Sequence, residues 1–323
     1  MITLRTYLAI KKMIYFINIF IHKEMSLNKP IWKWSDFINK DKINNNVFIH
    51  YYLSKNKKAI YFLEENPELI EWNGLSSNPN AIKLLEKQQD KIHWGFLSGN
   101  PNAIKLLEEN CDKINWNLLS KNPNALKILE NNPNKINWNK LSINPNAIKL
   151  LEENCDKINW CGLSCNTNAI HLLEKNIDKI DWISLSSNRN AIHLLERNPD
   201  KINWSNLSLN PNAIHLLEKN LDKIDWEFLS ANPNAIKLLE KNQDKINWPN
   251  LSSNPNAIHI LKSNPNICNS IYLYENPSIF ELDYEAMRKN NEKIYEELIK
   301  EVMKPSRVFK NPDYDYLEEL FGD

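Results

Sequence analysis

Residues 116–137 read WNLLSKNPNALKILENNPNKIN, and nearly the same string returns every 22 residues. Trp72, Trp94, Trp116, Trp138, Trp160, Trp182, Trp204, Trp226 and Trp248 mark nine copies without drift. Their shared form is W-x-x-L-S-x-N-P-N-A-I-x-L-L-E-x-N-x-D-K-I-N. A degenerate copy starts at His50, where Leu53, Ser54, Asn56, Ala59 and Ile60 match, and a decayed one from Ser270 keeps Leu273, Asn276 and Pro277. A fixed period of this length is the mark of a stacked repeat architecture. It overrides the two-domain expectation that 323 residues would otherwise raise.

The punctuation of each unit places its helices. Asn78-Pro79 reads as an N-cap followed by proline at the first helical position. Ala81, Ile82, Leu84 and Leu85 then give an apolar stripe at helical spacing. Asn or Gln closes that helix (Gln88, Asn110, Asn132 and onward), as a residue tolerant of the left-handed C′ position would. A short extended link carries Ile92, and the Asn or Asp before most tryptophans (Asn115, Asn137, Asp181, Asn203, Asp225) reads as a second N-cap. The second helix is short, with Trp94 and Leu97 on one face, and partly 3₁₀ in expectation. A competing reading makes Lys91–Trp94 a strand of a leucine-rich horseshoe, because Ile92 and Trp94 alternate.

One unit buries too little apolar surface to offset the ordering of its backbone, so units must stack and share interfaces. The sequence therefore predicts an all-α fold: an α-solenoid of about ten 22-residue two-helix repeats, right-handed, with terminal caps. The tryptophan columns are expected as its structural core, and the alanine column from Ala81 to Ala257 as a place of close helix approach. Helices ~8–10 Å apart would make the array a rod or superhelix of roughly 80–100 Å. The expected organisation is an N-terminal extension at 1–24, a cap at 25–49, the array at 50–280, and a helix and tail at 281–323. Residues 1–24 are basic and apolar, but the run Met13–Ile21 is too short to span a bilayer. An over-extended start with the true one at Met25, an amphipathic arm and a targeting segment all fit them. Tyr284–Met303 reads as an amphipathic helix.

Composition excludes several classes of function. Forty Lys+Arg against forty Asp+Glu leave no net charge, so the chain lacks the electrostatic footprint of a nucleic-acid binder. Five glycines, none in a phosphate-loop or dinucleotide pattern, argue against nucleotide enzymes. Five cysteines without regular spacing argue against a disulfide framework. His171, His193, His215 and His259 share a column with lysines, but successive units are ~8–10 Å apart, too far to share a metal. Cys155, Cys161 and Cys165 form no CxxC, and the Glu, Asp and Lys columns read as a solvated, charge-balanced surface. No catalytic motif, metal site or cofactor is expected.

Variation concentrates in three columns of the short helix. Two follow the tryptophan (Gly95, Asn117, Asn139, Cys161, Ile183, Ser205, Glu227, Pro249; then Phe96, Leu118, Lys140, Gly162, Ser184, Asn206, Phe228, Asn250). The third runs through Gly99, Lys121, Ile143, Cys165, Ser187, Leu209, Ala231 and Ser253. A varied face on a constant frame is how solenoids build binding surfaces, though drift of exposed positions gives the same pattern. The candidate partner-binding residues are Phe96, Leu118, Lys140, Ile183, Glu227 and Phe228.

The unit NPNAIxLLExNxDKINWxxLS and the ending SIFELDYEAM…EELIKEVMKPSR resemble the tandem-repeat proteins of mimivirus-like giant viruses, over about residues 50–310. The tail departs from that family at Lys304 and at Phe309–Tyr314, where a histidine and a glycine-containing end are usual. More loosely, the pairing of two short helices is similar to leucine-rich-variant and HEAT-like solenoids, which serve as scaffolds. The resemblance implies a viral protein of the host cytoplasm or the virion and carries no functional residue over. The expected function is a non-enzymatic scaffold for an unidentified protein partner; the alternative is a self-associating virion component.

Overall fold

A computed structural model describes residues 31–289, apart from 39–42, 44, 45 and 266–269, together with 292, 296 and 300. The extension at 1–24 and the tail beyond Pro305 lie outside the described residues. The chain divides into two compact units, one of residues 34–280 and one of 1–33 with 281–323. The boundary at 280 coincides with the one read from the sequence, whereas the one at 33 matches neither 24 nor 49.

In the second of these, Asp283 N–H donates to the Ile31 carbonyl at 2.8 Å, and Asp283 Oδ1 accepts from Ala286 N–H to cap a helix over 284–289. The rest of the helix expected to reach Met303 lies largely outside the described residues. Strands β1 (Trp32–Trp34) and β2 (Phe280–Leu282) form a two-stranded sheet. No other strand occurs among the described residues, so Lys91–Trp94 does not build a horseshoe sheet.

The unit of residues 34–280 is an α-solenoid of regularly spaced, contacting helices. Each repeat contributes a Trp helix such as Trp94–Ser98, an Asn-Pro turn, an Ile helix such as Ile104–Glu109, and a 3₁₀ turn such as Cys111–Lys113. The second N-cap is where the sequence puts it: Asn115 Oδ1 accepts from Leu118 N–H at 3.1 Å, and Asp181 Oδ1 from Ser184 N–H at 2.7 Å. The Trp helix is α-helical, and the 3₁₀ geometry falls in the preceding link instead.

Two local expectations fail for one reason, the diversion of an asparagine amide. Asn78 does not cap the following helix, which starts at Ile82 behind Ala81 with no side-chain cap. Its Oδ1 instead accepts from Asn80 N–H two residues on, and its Nδ2 reaches back into the neighbouring repeat. The asparagines that end the Ile helices do not enter the left-handed region: Asn110 has φ −135° and ψ 52°, and no described non-glycine residue has positive φ. Asn110 Nδ2 donates to the Leu106 carbonyl at 2.9 Å, satisfying a terminal acceptor by side chain rather than by backbone reversal.

The core is leucine and alanine threaded by a polar ladder. The leucines at Leu75, Leu97, Leu119 and their equivalents to Leu251 are fully buried, as are the alanines from Ala59 to Ala257. Between them lie buried Ser and Asn columns. Asn100 Nδ2 donates to the Ser76 and Asn78 carbonyls of the preceding repeat, both at 3.0 Å, while its Oδ1 accepts from Asn102 N–H at 3.0 Å. Ser98 Oγ donates to the Trp94 carbonyl at 2.7 Å and accepts from Asn115 N–H at 2.9 Å. The bonds to the Ser76 carbonyl and from Asn115 N–H satisfy backbone groups whose loss of a partner on burial costs about 1–3 kcal/mol each, while the Asn78 carbonyl also accepts from Ala81 N–H. No buried side-chain N or O among the described residues lacks a partner.

The nine tryptophans are not the interior seam that the sequence suggests. All are half-buried, and Lys Nζ nineteen positions downstream lies over the ring in eight of them, from Lys91 on Trp72 at 5.1 Å to Lys245 on Trp226 at 4.7 Å. Leucine and alanine fill the space between layers, which leaves the indoles at its edge under a cation (cation–π).

The array is also not a rod. Asn56 Nδ2 donates to the Tyr274 carbonyl at 3.0 Å and to the Asn276 carbonyl at 2.9 Å, repeating at the two ends the bonds that join every neighbouring pair. Asn276 in turn donates to the Ser252 and Asn254 carbonyls. Eleven asparagines, Asn56 to Asn276 at intervals of 22, thus form an unbroken circle, and the helix Val47–Lys55 packs on both Trp72–Ser77 and Ile271–Glu275. The degenerate first copy and the decayed last one belong to a closed eleven-unit ring, the last with the 3₁₀ turn Pro277–Ile279 and strand β2 where the others have an Ile helix. Each end of the array is covered by the other.

A candidate binding surface on the inner wall

In a closed ring the layer whose successive helices lie closest is the inner one. Successive Trp helices pack directly on one another at ten of the eleven steps round the circle, the step from Trp138–Leu141 to Trp160–Cys165 excepted, whereas no successive pair of Ile helices packs comparably. Neighbouring Ile helices are reached by side-chain tips, as where His171 Nε2 meets Glu152 Oε1 at 2.9 Å. The Trp helices therefore line the lumen. With axes ~8–10 Å apart, eleven helices enclose roughly 30 Å between opposite axes. Helix radii of ~5 Å leave a lumen of about 20 Å.

Helical geometry fixes what faces that lumen. Within Trp94–Ser98, Leu97 and Ser98 are buried against the Ile layer, so the opposite face carries Gly95, Phe96 and, one turn on, Gly99. These are the three varied columns, and they share the inner wall. Phe96 is 36% exposed, Phe228 39% and Ile183 58%. Lys140 and Glu227 are exposed there, and Leu118 is half-buried. Ile143 and Leu209 are further exposed apolar residues of the same wall. The six candidates do not converge on one pocket. Phe96 and Phe228 stand six repeats apart, on opposite sides of the eleven-unit ring.

The varied columns also interlock between repeats. Asn206 Nδ2 donates to the Ile183 carbonyl at 2.8 Å and Asn250 Nδ2 to the Glu227 carbonyl at 2.9 Å, so some variation serves the wall itself. At Gly74 an added Cβ would sit 2.5 Å from the Tyr51 carbonyl oxygen. The long first helix approaches closest there, and only glycine fits.

The inner wall changes character where the two ends meet. There the varied columns carry Tyr51, Tyr52 and Tyr272, with Tyr52 and Tyr272 edge to face at 5.2 Å. Lys55 Nζ pairs with Glu275 Oε1 at 2.7 Å and lies over both the Tyr51 and Tyr52 rings. A recess of about 600 Å³ opens there, lined by Tyr52, Lys55, Asn250, Ser253, Tyr272 and Glu275 among others. Burial first, then the adjoining Tyr272 and the charge of Glu275, hold the Tyr52 phenol above its ordinary pKa. Burial alone raises Tyr274. Sequence reading passed over this junction because its tyrosines fall in copies too degenerate to align by tryptophan.

The histidine column lies on the outer face: His171, His193, His215 and His259 each meet a glutamate of the preceding repeat at 2.8–2.9 Å. No group of three or more His, Cys, Asp or Glu among the described residues is placed to hold a metal ion. No described helix is long and apolar enough to cross a membrane. No family model, curated protein or solved structure matches the chain.

Proposed function

We propose that the protein is a non-enzymatic scaffold that binds a protein partner through the inner wall of its ring, holding a segment of that partner in the lumen. The supporting observation is the exposure of Phe96, Ile143, Ile183, Leu209 and Phe228 on the wall of a ring whose core columns are uniform. Isolated apolar side chains on a convex surface carry no message, but several facing a common lumen can be covered together by one occupant. A lumen of about 20 Å admits an α-helix of ~10–12 Å or a helical hairpin. The wall is not built for a phosphate backbone, since Lys55, Lys121 and Lys140 are offset by Glu227 and Glu275. By its resemblance to giant-virus repeat proteins, the scaffold would act in the host cytoplasm or be carried in the virion.

The test is affinity capture from infected-cell lysate with the natural chain and with Phe96→Ser/Ile183→Ser/Phe228→Ser, both shown to be folded by circular dichroism. The partner should drop by on the order of tenfold or more with the triple variant. An outer-face variant such as His171→Ser/His193→Ser should retain it. Equal capture by the natural and triple-variant chains would remove the inner wall from consideration.

A further inference from the structure

Two of the described cysteines stand out from the rest by their geometry. Cys111 and Cys155 sit in 3₁₀ turns, each with Sγ donating to the carbonyl three residues back, Glu108 at 3.1 Å and Glu152 at 2.9 Å. Cys161 and Cys165 instead lie four residues apart on one helix, Trp160–Cys165, in two of the three varied columns that face the lumen. Both are exposed free thiols. Their sulfurs lean on the same neighbour: Cys161 Sγ is 3.2 Å from Ser184 Oγ, and Cys165 Sγ is 3.9 Å from the Ser184 carbonyl oxygen. The two thiols therefore converge on one side of the helix.

The spacing decides what such a pair can do. Residues four apart on a helix have Cβ atoms ≈5–6 Å apart, whereas a disulfide needs about 3.5–4.5 Å. A disulfide would require the helix to unwind. Two metal–thiolate bonds of ~2.3 Å in line place their sulfurs about 4.5 Å apart, within reach of this helical spacing through ordinary rotamers. Zinc prefers four ligands in a tetrahedron, and the site offers two thiols with a serine hydroxyl beside them. Soft thiolates select Cu(I), which accepts two-coordinate sulfur.

We propose that Cys161 and Cys165 form a two-coordinate site for a soft monovalent metal ion, Cu(I), on the inner wall of the ring. Binding exchanges two S–H bonds for two S–Cu bonds and releases two protons to solvent. No electron is transferred, because the metal enters and remains as Cu(I). The inference is independent of any protein partner.

The experiment uses the full chain carrying Cys111→Ser, Cys155→Ser and Cys268→Ser, so that only the pair remains, reduced and titrated with Cu(I) against a bathocuproine chelator. One Cu(I) per chain should be retained, with X-ray absorption reporting two sulfur neighbours. Adding Cys161→Ser or Cys165→Ser should weaken retention by on the order of 100-fold, with the helical circular dichroism unchanged. Zn(II) should compete poorly. The proposal fails if the chelator strips the copper from the paired chain, or if either single-thiol variant retains it within about threefold.

Discussion

Ten of the junctions around the ring join repeats adjacent in sequence, and the eleventh joins the first repeat to the last. Both kinds share the asparagine ladder: Asn166 donates to the Ser142 and Asn144 carbonyls, and Asn56 to those of Tyr274 and Asn276. They differ in their side chains: the closing junction has a tyrosine cluster and the Lys55–Glu275 pair in the varied columns, and His50 and Ser270 in the column where Trp160 lies under Lys179. The backbone hydrogen bonding that makes units stack is thus separable from the side chains that seal each seam. A chain can therefore diverge at its ends and still close, provided the polar ladder is kept.

The largest test of this contrast pairs two equivalent substitutions. Asn166→Ala strands the buried Ser142 carbonyl and the Asn168 N–H and takes one of two donors from the Asn144 carbonyl, and should lower unfolding stability by about 3 kcal/mol in urea titration. Asn56→Ala removes the same bonds at the closing junction. There the ring can open and hydrate the orphaned carbonyls while the other interfaces persist, so the loss should be nearer 1 kcal/mol. Hydrogen exchange should speed up over residues 47–56 and 271–276 and nowhere else. Equal losses for the two variants would make the closing junction as firm as any other.

A smaller effect concerns the edges. Lys179→Gln removes the ammonium 4.8 Å above the Trp160 ring and should cost about 0.5–1 kcal/mol. Lys55→Gln, which breaks a partly exposed ion pair, should cost about 0.5 kcal/mol or less and show it only at low salt. A larger loss from Lys55→Gln would mean that charge, rather than the ladder, holds the ends together.

The smallest is a pH effect at the closing junction, read against the natural chain so that the raised phenol of Tyr61, hydrogen-bonded to Glu65, cancels. Tyr52 and Tyr274 have pKa values raised above 10.0 in the fold, so the folded chain keeps protons that the unfolded chain loses. That contribution is full below pH 10 and declines as pH rises through the folded values. Lys58, whose pKa burial lowers from 10.5, acts in the opposite sense, and its effect is complete once pH passes 10.5. Above that point, the melting temperature should fall further for the natural chain than for Tyr52→Phe. Parallel curves would show that Tyr52 does not titrate as its burial requires.

Much of the architecture was legible in the sequence, because a repeat states each local rule many times. The period, the paired short helices and the capping by Asn115 or Asp181 all follow from residue type and spacing. The two failures at Asn78 and Asn110 have a common origin. Local rules assign an asparagine to its own helix end, but Asn78 donates 22 and 24 residues away, and Asn110 turns its amide back on its own last turn. The tryptophans misled for a related reason: their regularity marks a repeated environment, which is the half-buried edge under a lysine rather than the core.

The candidate surface was legible as three columns but not as a lumen. Nothing local distinguishes the wall of a ring from the flank of a rod, and the pairing of Cys161 with Cys165 beside Ser184 needed the neighbouring repeat to be placed.

By itself the amino-acid order determined the repeating unit, where its helices begin, and that units must stack, since these depend on contacts within about 24 residues. Only the tertiary structure decided that the stack bends into a closed circle. A full turn shared among eleven units is about 33° each, set by how much closer the Trp helices pack than the Ile helices. That difference of a few ångströms is written in no single residue. It becomes visible only when it has accumulated far enough to bring Asn56 against Asn276.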